Sequence, residues 1–301
     1  MCMDIKRIDF RNTFEHELPE VLTEMQKVIS PKCKKLNILG EIKESDINAV
    51  AVVGSRKITN YGRRVCKEVV SSLAAAGVTI VSGLMYGADI EAHKAAIAVG
   101  GRTIAVLGYG LDSLDEYQYA KDVAKEIISK GCGCIVSEYP DADTAKGWTF
   151  PQRNRIVSGL SRCVIIIEAG MKSGSLITAG QALDQGKTVF VVPGSIFNPV
   201  SKGSHFLIKQ GATLLDDSRD ILDYLEISLK DTPVFKKSQK LENEMESKIL
   251  KLLSREAISV DIEDLCLQLR STFSDINIAL TSLEITGKIR KDILGKWEIS
   301  V

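Results

Sequence analysis

Between residues 45 and 228 short apolar runs recur, each closing on Gly, Pro or Glu. They are Ala49-Val-Ala-Val-Val-Gly54, Val78-Thr-Ile-Val-Ser-Gly83, Thr103-Ile-Ala-Val-Leu-Gly108, Cys134-Ile-Val-Ser-Glu138, Cys163-Val-Ile-Ile-Ile-Glu168 and Thr188-Val-Phe-Val-Val-Pro193. The runs are rich in Val and Ile and do not alternate cleanly between apolar and polar. Strands of that kind are covered on both faces, as in parallel sheets. Helical stretches lie between them, over roughly Tyr61–Ala76, Asp89–Val99, Glu116–Lys130 and Ser175–Gln185. Alternating strands and helices predict a doubly wound α/β domain with a mainly parallel sheet. Right-handed crossovers then gather the loops that follow the strands along one edge.

The flanks read differently. Residues 1–44 are a short segment, partly helical around Pro19–Ile29. Residues 229–240, with Asp231-Thr-Pro-Val-Phe-Lys-Lys-Ser-Gln-Lys240, are polar and basic and contain a proline, which predicts a linker. In residues 241–301, Glu246–Leu253 and Ile262–Leu269 are amphipathic. A third helix is expected over Ser274–Thr286, with apolar Ile276, Ile278, Leu280, Leu283 and Ile285. A short hairpin is expected over Ile289–Ile299 through Leu294-Gly295. Three helices and a hairpin suggest a small winged-helix-like domain.

Composition adds little and charge distribution somewhat more. The chain has 301 residues, 45% hydrophobic and 26% charged, as in ordinary globular proteins. No apolar run approaches the roughly 20 residues that span a bilayer, and Met1–Phe10 has no apolar signal core. Cytoplasmic residence without a membrane partner is therefore expected. Net charge is zero, but residues 45–240 carry +3 and residues 241–301 carry −3. A nucleic-acid site is therefore expected in the middle segment, as a local patch. The seven cysteines are scattered, and Cys66, Cys134, Cys163 and Cys266 lie within apolar runs, as small buried hydrophobes do. Cys132-Gly-Cys134 has no further His or Cys ligands near it, and the three histidines are far apart, so no metal is expected.

The predicted carboxyl edge is loaded with Gly, Ser and basic residues: Gly54-Ser-Arg56, Ser82-Gly83-Leu-Met-Tyr-Gly87, Gly108-Tyr-Gly110, Glu168 to Ser175, and Pro193-Gly194-Ser195. Open α/β sheets bind ligands at that edge. The first of these loops lacks the G-x-G-x-x-G spacing of a dinucleotide site and carries Arg56, a bidentate phosphate donor, instead. The bland alternative is a surface arginine beside a turn glycine. In Lys146-Gly-Trp-Thr-Phe-Pro-Gln-Arg-Asn-Arg155, cations and aromatics fall within ten residues, the mixture that single-stranded nucleic acid requires. The alternative there is a loop with buried aromatics and solvated arginines. Lys172-Ser-Gly-Ser-Leu-Ile-Thr178 opens a helix, where Ser173 or Ser175 can cap and the free N–H groups attract anions.

No catalytic constellation stands out. G-x-S-x-G and Walker A motifs are absent. Asp89 and His93 share a helix face and read as a structural hydrogen-bond pair orienting the loop at 82–87, with an acid–base role as the lesser alternative.

Taken together, the motifs resemble the DprA/Smf family of DNA-processing proteins. The resemblance rests on Val53-Gly-Ser-Arg56 with Tyr61-Gly62, Ser82-Gly83-Leu84 with Gly87 and Asp89, Gly110-Leu-Asp112, Phe150-Pro151 with Arg153-Asn-Arg155, Ser173-Gly-Ser-Leu-Ile-Thr-Ala179, Val192-Pro-Gly194, and Gly211-Ala212. It implies an extended Rossmann-like domain over 45–228 that binds single-stranded DNA without catalysis or cofactor. It further implies dimerisation and loading of a RecA-type recombinase in transformation. By resemblance, the candidate DNA-binding residues are Gly54, Ser55, Arg56, Gly83, Lys146, Phe150, Arg153, Asn154, Arg155, Lys172, Ser173, Gly174 and Ser175, and the dimer surface includes His205, Ile208 and Leu214. Two departures stand out. Met85-Tyr86 replaces a usual Arg, so a basic contact is missing or replaced by stacking on Tyr86. Ser113–Tyr119 lacks the family's YPxxN stretch. The competing class is a Rossmann-type nucleotide-binding or nucleotide-hydrolysing enzyme, or a nucleotide-sensing defence module.

Overall fold

The computed structural model describes residues 5–227, 245–254, 260–285, 287–292 and 296–299. The chain divides into two compact units, 1–228 and 229–301. The expected linker at 229–240 and the Leu294-Gly295 turn lie outside the described residues.

All six apolar runs form strands: β3 (Val50–Val53), β4 (Ile80–Ser82), β5 (Thr103–Val106), β6 (Gly133–Ser137), β7 (Cys163–Ile166) and β8 (Thr188–Val191). Every neighbouring pair among them is parallel. Side chains alternate between the two faces, yet both faces are buried, which is why no apolar–polar alternation shows in the sequence. Val50 and Val52 pack on one face with helices α2 (Asn60–Ala75) and α3 (Ala88–Ala98). Ala51 and Val53 pack on the other with α1 (Glu20–Val28), α5 (Thr149–Gly159) and α6 (Gly174–Asp184). Helix α4 (Gln118–Ser129) contributes Val123 and Ile127 to a third cluster with Leu107 and Ile135. The class is the expected Rossmann-like α/β.

The N-terminal segment corrects the expected boundary at residue 44. It supplies β1 (Ile5–Asp9) and β2 (Lys35–Gly40), which pair antiparallel with each other and, through β2, with β6. Leu36 and Ile38 are buried, while Asn37 Nδ2 donates to the Tyr139 carbonyl at 2.8 Å. That polar residue inside a short run hides the strand. At the other edge lie α7 (Lys202–Lys209), a two-residue β9 (Thr213–Leu214) and α8 (Arg219–Tyr224). The resulting order is β1-β2-β6-β5-β4-β3-β7-β8-β9. From β3 the chain winds outward through β4, β5 and β6, then returns to place β7 on the opposite side. The order reverses between β3 and β7, and a ligand crevice opens at such a reversal.

The second unit contains α9 (residues 245–254), α10 (Ile262–Leu269), α11 (Phe273–Ile285) and the antiparallel pair β10 (Ile289–Lys291) and β11 (Trp297–Ile299). Ile276, Leu280 and Leu283 enter its core with Trp297, whereas Ile278, on another face of the same helix, is exposed. The described cysteines form no disulfides, and burial pushes the thiols of Cys66, Cys134 and Cys163 upward. Those thiols stay protonated and behave as hydrophobes. Among the described residues no helix is long and apolar enough to cross a membrane.

Candidate functional site

At the reversal point lies a cavity of about 590 Å³. Its walls come from residues 53–57 after β3, Met85, Tyr86 and Asp89 between β4 and α3, the start of α5, residues 170–178 at the opening of α6, and Val200. Of the predicted residues, Gly54, Ser55, Arg56, Phe150, Arg153, Asn154, Lys172, Ser173, Gly174 and Ser175 line it.

The β3 loop is held by close contacts. A side chain at Gly54 would lie 2.8 Å from Ala88 Cβ and meet the Glu168 backbone. Ser55 Oγ accepts the Lys57 N–H at 3.0 Å. Gly87, at φ +93, has no room for a Cβ, which would lie 2.4 Å from the Ser55 carbonyl oxygen. The left-handed backbone and the contact both demand glycine. Arg56 emerges from this packed base with its guanidinium over two rings, 5.6 Å from the Tyr86 centroid and 5.7 Å from that of Phe150.

The Arg-Asn-Arg segment lies on α5, where neighbouring residues point in different directions. Phe150, Arg153 and Asn154 share the face toward the cavity. Phe150 packs on Gly108, where a Cβ would come within 2.9 Å of its ring. Arg153 is buried and donates through Nη1 to the carbonyls of Gly83, at 2.5 Å, and Val106, tying the ends of β4 and β5 together. Its Nε donates to Asn154 Oδ1 at 3.2 Å. Arg155 is the correction. It points into the core, with Nη2 donating to Glu138 Oε1 at 2.8 Å, Nη1 to Glu138 Oε2, and Nε to the Pro31 carbonyl at 2.8 Å. Both arginines are held by structural hydrogen bonds, Arg153 buried at the cavity wall and Arg155 in the core on a different helix face.

Two further predicted residues stand outside the lining. Gly83 lies behind it, where a Cβ would come within 2.5 Å of both the Arg153 guanidinium and the Asp89 carboxylate. Lys146 is exposed, and its backbone binds the Thr149 hydroxyl to start α5. At α6, Ser173 is the N-cap: its Oγ accepts the Ser175 N–H at 3.4 Å and lies 2.7 Å from Ser175 Oγ. Gly174 faces open space, and Lys172 stands exposed beside it. A free helix start with a lysine and two hydroxyls is suited to an anion.

The start of α2 is different. Glu168 Oε2 accepts the Thr59 N–H at 2.8 Å and Oε1 accepts the Thr59 hydroxyl at 2.6 Å. The protein's own carboxylate therefore fills the position where a dinucleotide fold seats pyrophosphate on its first helix.

Asp89 also lines the cavity, without the expected partner. Burial pushes its carboxyl up to about 6, against the opposing pull of Arg153 and of the Met85 and Gly83 N–H groups. His93 instead meets Thr103 Oγ1 through Nδ1 at 2.7 Å, and that hydroxyl donates to the Ile80 carbonyl at 2.8 Å. The network assigns the proton to Nδ1. Burial, with Arg153 nearby, lowers His93 to about 3, so the ring is neutral. Asp89, Ile177 and Thr178 lie inside the quoted motifs without being assigned to the site there, and Val200 lies outside them; all four line the cavity. Helical spacing from the Ser173 cap reaches Ile177 and Thr178, but only the tertiary fold brings in Val200.

At the proposed dimer surface, His205 Nε2 lies 3.0 Å from the Gly194 carbonyl, Ile208 packs partly on the core, and Leu214 is exposed.

A family model described as DNA recombination-mediator protein A matches residues 10–226. Protein Smf of Escherichia coli (strain K12) is 46% identical over 194 residues, 64% of this chain and 51% of that protein. The chain thus matches about half the length of that relative. The X-ray structure of DNA processing protein A from Streptococcus pneumoniae gives a TM-score of 0.62 at 36% identity, covering 73% of this chain and 74% of that one. DNA processing protein A from Helicobacter pylori, whose structure is described for its single-stranded DNA binding mode, gives 0.62 at 28% identity, covering 77% and 98%.

Proposed function

We propose that this chain, which belongs to the DNA recombination-mediator protein A family, binds single-stranded DNA without sequence specificity in the cavity between β3 and β7. The observation that carries the reading is Arg56 placed over the faces of Phe150 and Tyr86, with the free start of α6 and Lys172 on the same cavity. Unpaired bases offer faces for the rings, and phosphates offer charge for the cations. Stacking and phosphate contact carry no sequence information, so recognition by these groups is independent of sequence. The Helicobacter pylori relative's single-strand binding supports the same reading.

The reading is of a non-enzymatic protein that coats and protects the strand and hands it to a RecA-type recombinase during transformation or recombination. It acts as a cytoplasmic homodimer through His205, Ile208 and Leu214. Leu214→Glu, at an exposed position, is expected to sediment as a monomer, and unchanged sedimentation counts against that surface. Nucleotide-enzyme chemistry is disfavoured because Glu168 occupies the start of α2 and His93 is buried and neutral. The winged-helix reading of residues 241–301 belongs to this proposal as a protein-interaction or structural module, since that segment carries net −3.

Titrating the purified chain with a labelled oligonucleotide, single-stranded and then annealed to its complement, tests the proposal. Tighter binding of the single strand is expected, and equal affinity for both forms contradicts it.

A further inference from the structure

We infer that Tyr86 is a second base-stacking platform, so that the cavity seats two successive bases, one on Phe150 and one on Tyr86, with the phosphate between them on Arg56. The inference rests on the single-strand reading above and assigns it a subsite.

The geometry begins with accessibility. Tyr86 is 46% exposed, a large ring left open at the mouth of the cavity. It is nonetheless braced. Its ring meets the edge of Tyr119 at 5.8 Å and 88°, and the Tyr119 hydroxyl donates to Met85 Sδ at 3.3 Å. Tyr117 and Tyr109 continue the series behind it, with centroids 6.1 and 4.8 Å apart in turn. On the chain side, Gly87 is jammed against the Ser55 carbonyl and the Arg56 backbone, which fixes the Tyr86 loop relative to Arg56. A ring held in this way loses little freedom when a base settles on it.

The position of Arg56 sets the register. Its guanidinium lies almost equally far from the two ring centroids. In an unpaired strand, adjacent bases are joined through a single phosphate. When a strand enters, each base takes the ring face that the guanidinium now shares, and the guanidinium turns to the phosphate linking them. The exchange replaces two cation–π contacts with two base–ring stacks and one charge-assisted hydrogen bond. A duplex cannot make it, because its base faces are already stacked.

The test compares wild type with Tyr86→Leu, Tyr86→Trp and Phe150→Leu, each titrated with a labelled oligothymidylate. Tyr86→Leu is expected to weaken binding by about five- to 150-fold, the range of one lost base–aromatic stack. Its salt dependence should be unchanged, because no charge is removed. Tyr86→Trp is expected to retain affinity. Its indole emission should be quenched by thymidylyl dinucleotide well below the concentration at which thymidine monophosphate quenches it. If Tyr86→Leu binds like wild type while Phe150→Leu loses affinity, the second platform is refuted and the single-strand reading stands. If neither variant changes affinity, or wild type fails to bind the oligonucleotide, the single-strand reading falls and takes this inference with it.

Discussion

Arg155 and Glu138 form a largely buried bidentate ion pair, Nη2 to Oε1 at 2.8 Å, with the Arg155 side chain 2% and the Glu138 side chain 13% exposed. Residues 153 and 155 look equivalent in the sequence, but the helix sends one to the cavity and the other into the protein. Arg155→Ala strands the Glu138 carboxylate and is expected to cost about 3–5 kcal/mol of stability. Denaturant unfolding measures that loss. At temperatures where the variant is folded, its single-strand affinity should equal that of wild type. A selective loss of affinity with unchanged stability would place Arg155 at the DNA.

Arg56, Lys57 and Lys172 are the exposed cations of the cavity lining, and Arg56 is the one set over the aromatic rings. Arg56→Ala is expected to weaken single-strand binding by about 1–3 kcal/mol, the range for a charged hydrogen bond. Removing one cation from its phosphate should also flatten the slope of log affinity against log salt by about 0.7. Fluorescence anisotropy over a salt series reads both quantities. An Arg56→Ala variant with the wild-type slope would show that this side chain touches no phosphate.

Asp89 is expected to make the site sensitive to pH. Its carboxyl is raised from 3.8 to about 6 by burial, so the folded protein holds this proton more tightly than the unfolded chain. The stability it contributes is fully present below about 3.8 and is lost as pH rises through about 6. Ionisation also places a negative charge in the cavity proposed to hold phosphate. Single-strand affinity is therefore expected to rise as pH falls from about 7 to about 5, and Asp89→Asn should abolish that rise. The same pH dependence in Asp89→Asn would assign it to another group.

A chain ending at Ile227 retains the whole sheet and cavity, because residues 1–228 form a compact unit of their own. It is expected to keep most of the single-strand affinity. Residues 241–301 alone should bind duplex DNA weakly, if at all. Duplex binding by that module as tight as that of the full chain would reverse the assignment.

The sheet is legible in the sequence wherever strands are continuous apolar runs, and the helices between them follow. It is illegible where burial is shared with polar groups. Lys35–Gly40 carries Asn37, satisfied by the distant Tyr139 carbonyl, and β1 has only one fully buried side chain, Ile8. The site is legible in its glycine loops and its cap, which are local. The helical phase of Thr149–Gly159 is not, and with it goes the division of labour between Arg153 and Arg155. A proline at Pro151 and a run of polar residues mask that helix's apolar face. Spacing alone pairs Asp89 with His93, whereas the fold sets Asp89 beside Arg153 and leaves His93 to Thr103.

The location of the strand is the central claim, and photocrosslinking tests it most directly. An oligothymidylate substituted with iodouracil, irradiated in complex with the full chain and mapped by mass spectrometry, should mark aromatic residues of the cavity, Phe150 or Tyr86. Adducts confined to residues 241–301, or to the surface around Leu214, would contradict a binding site between β3 and β7.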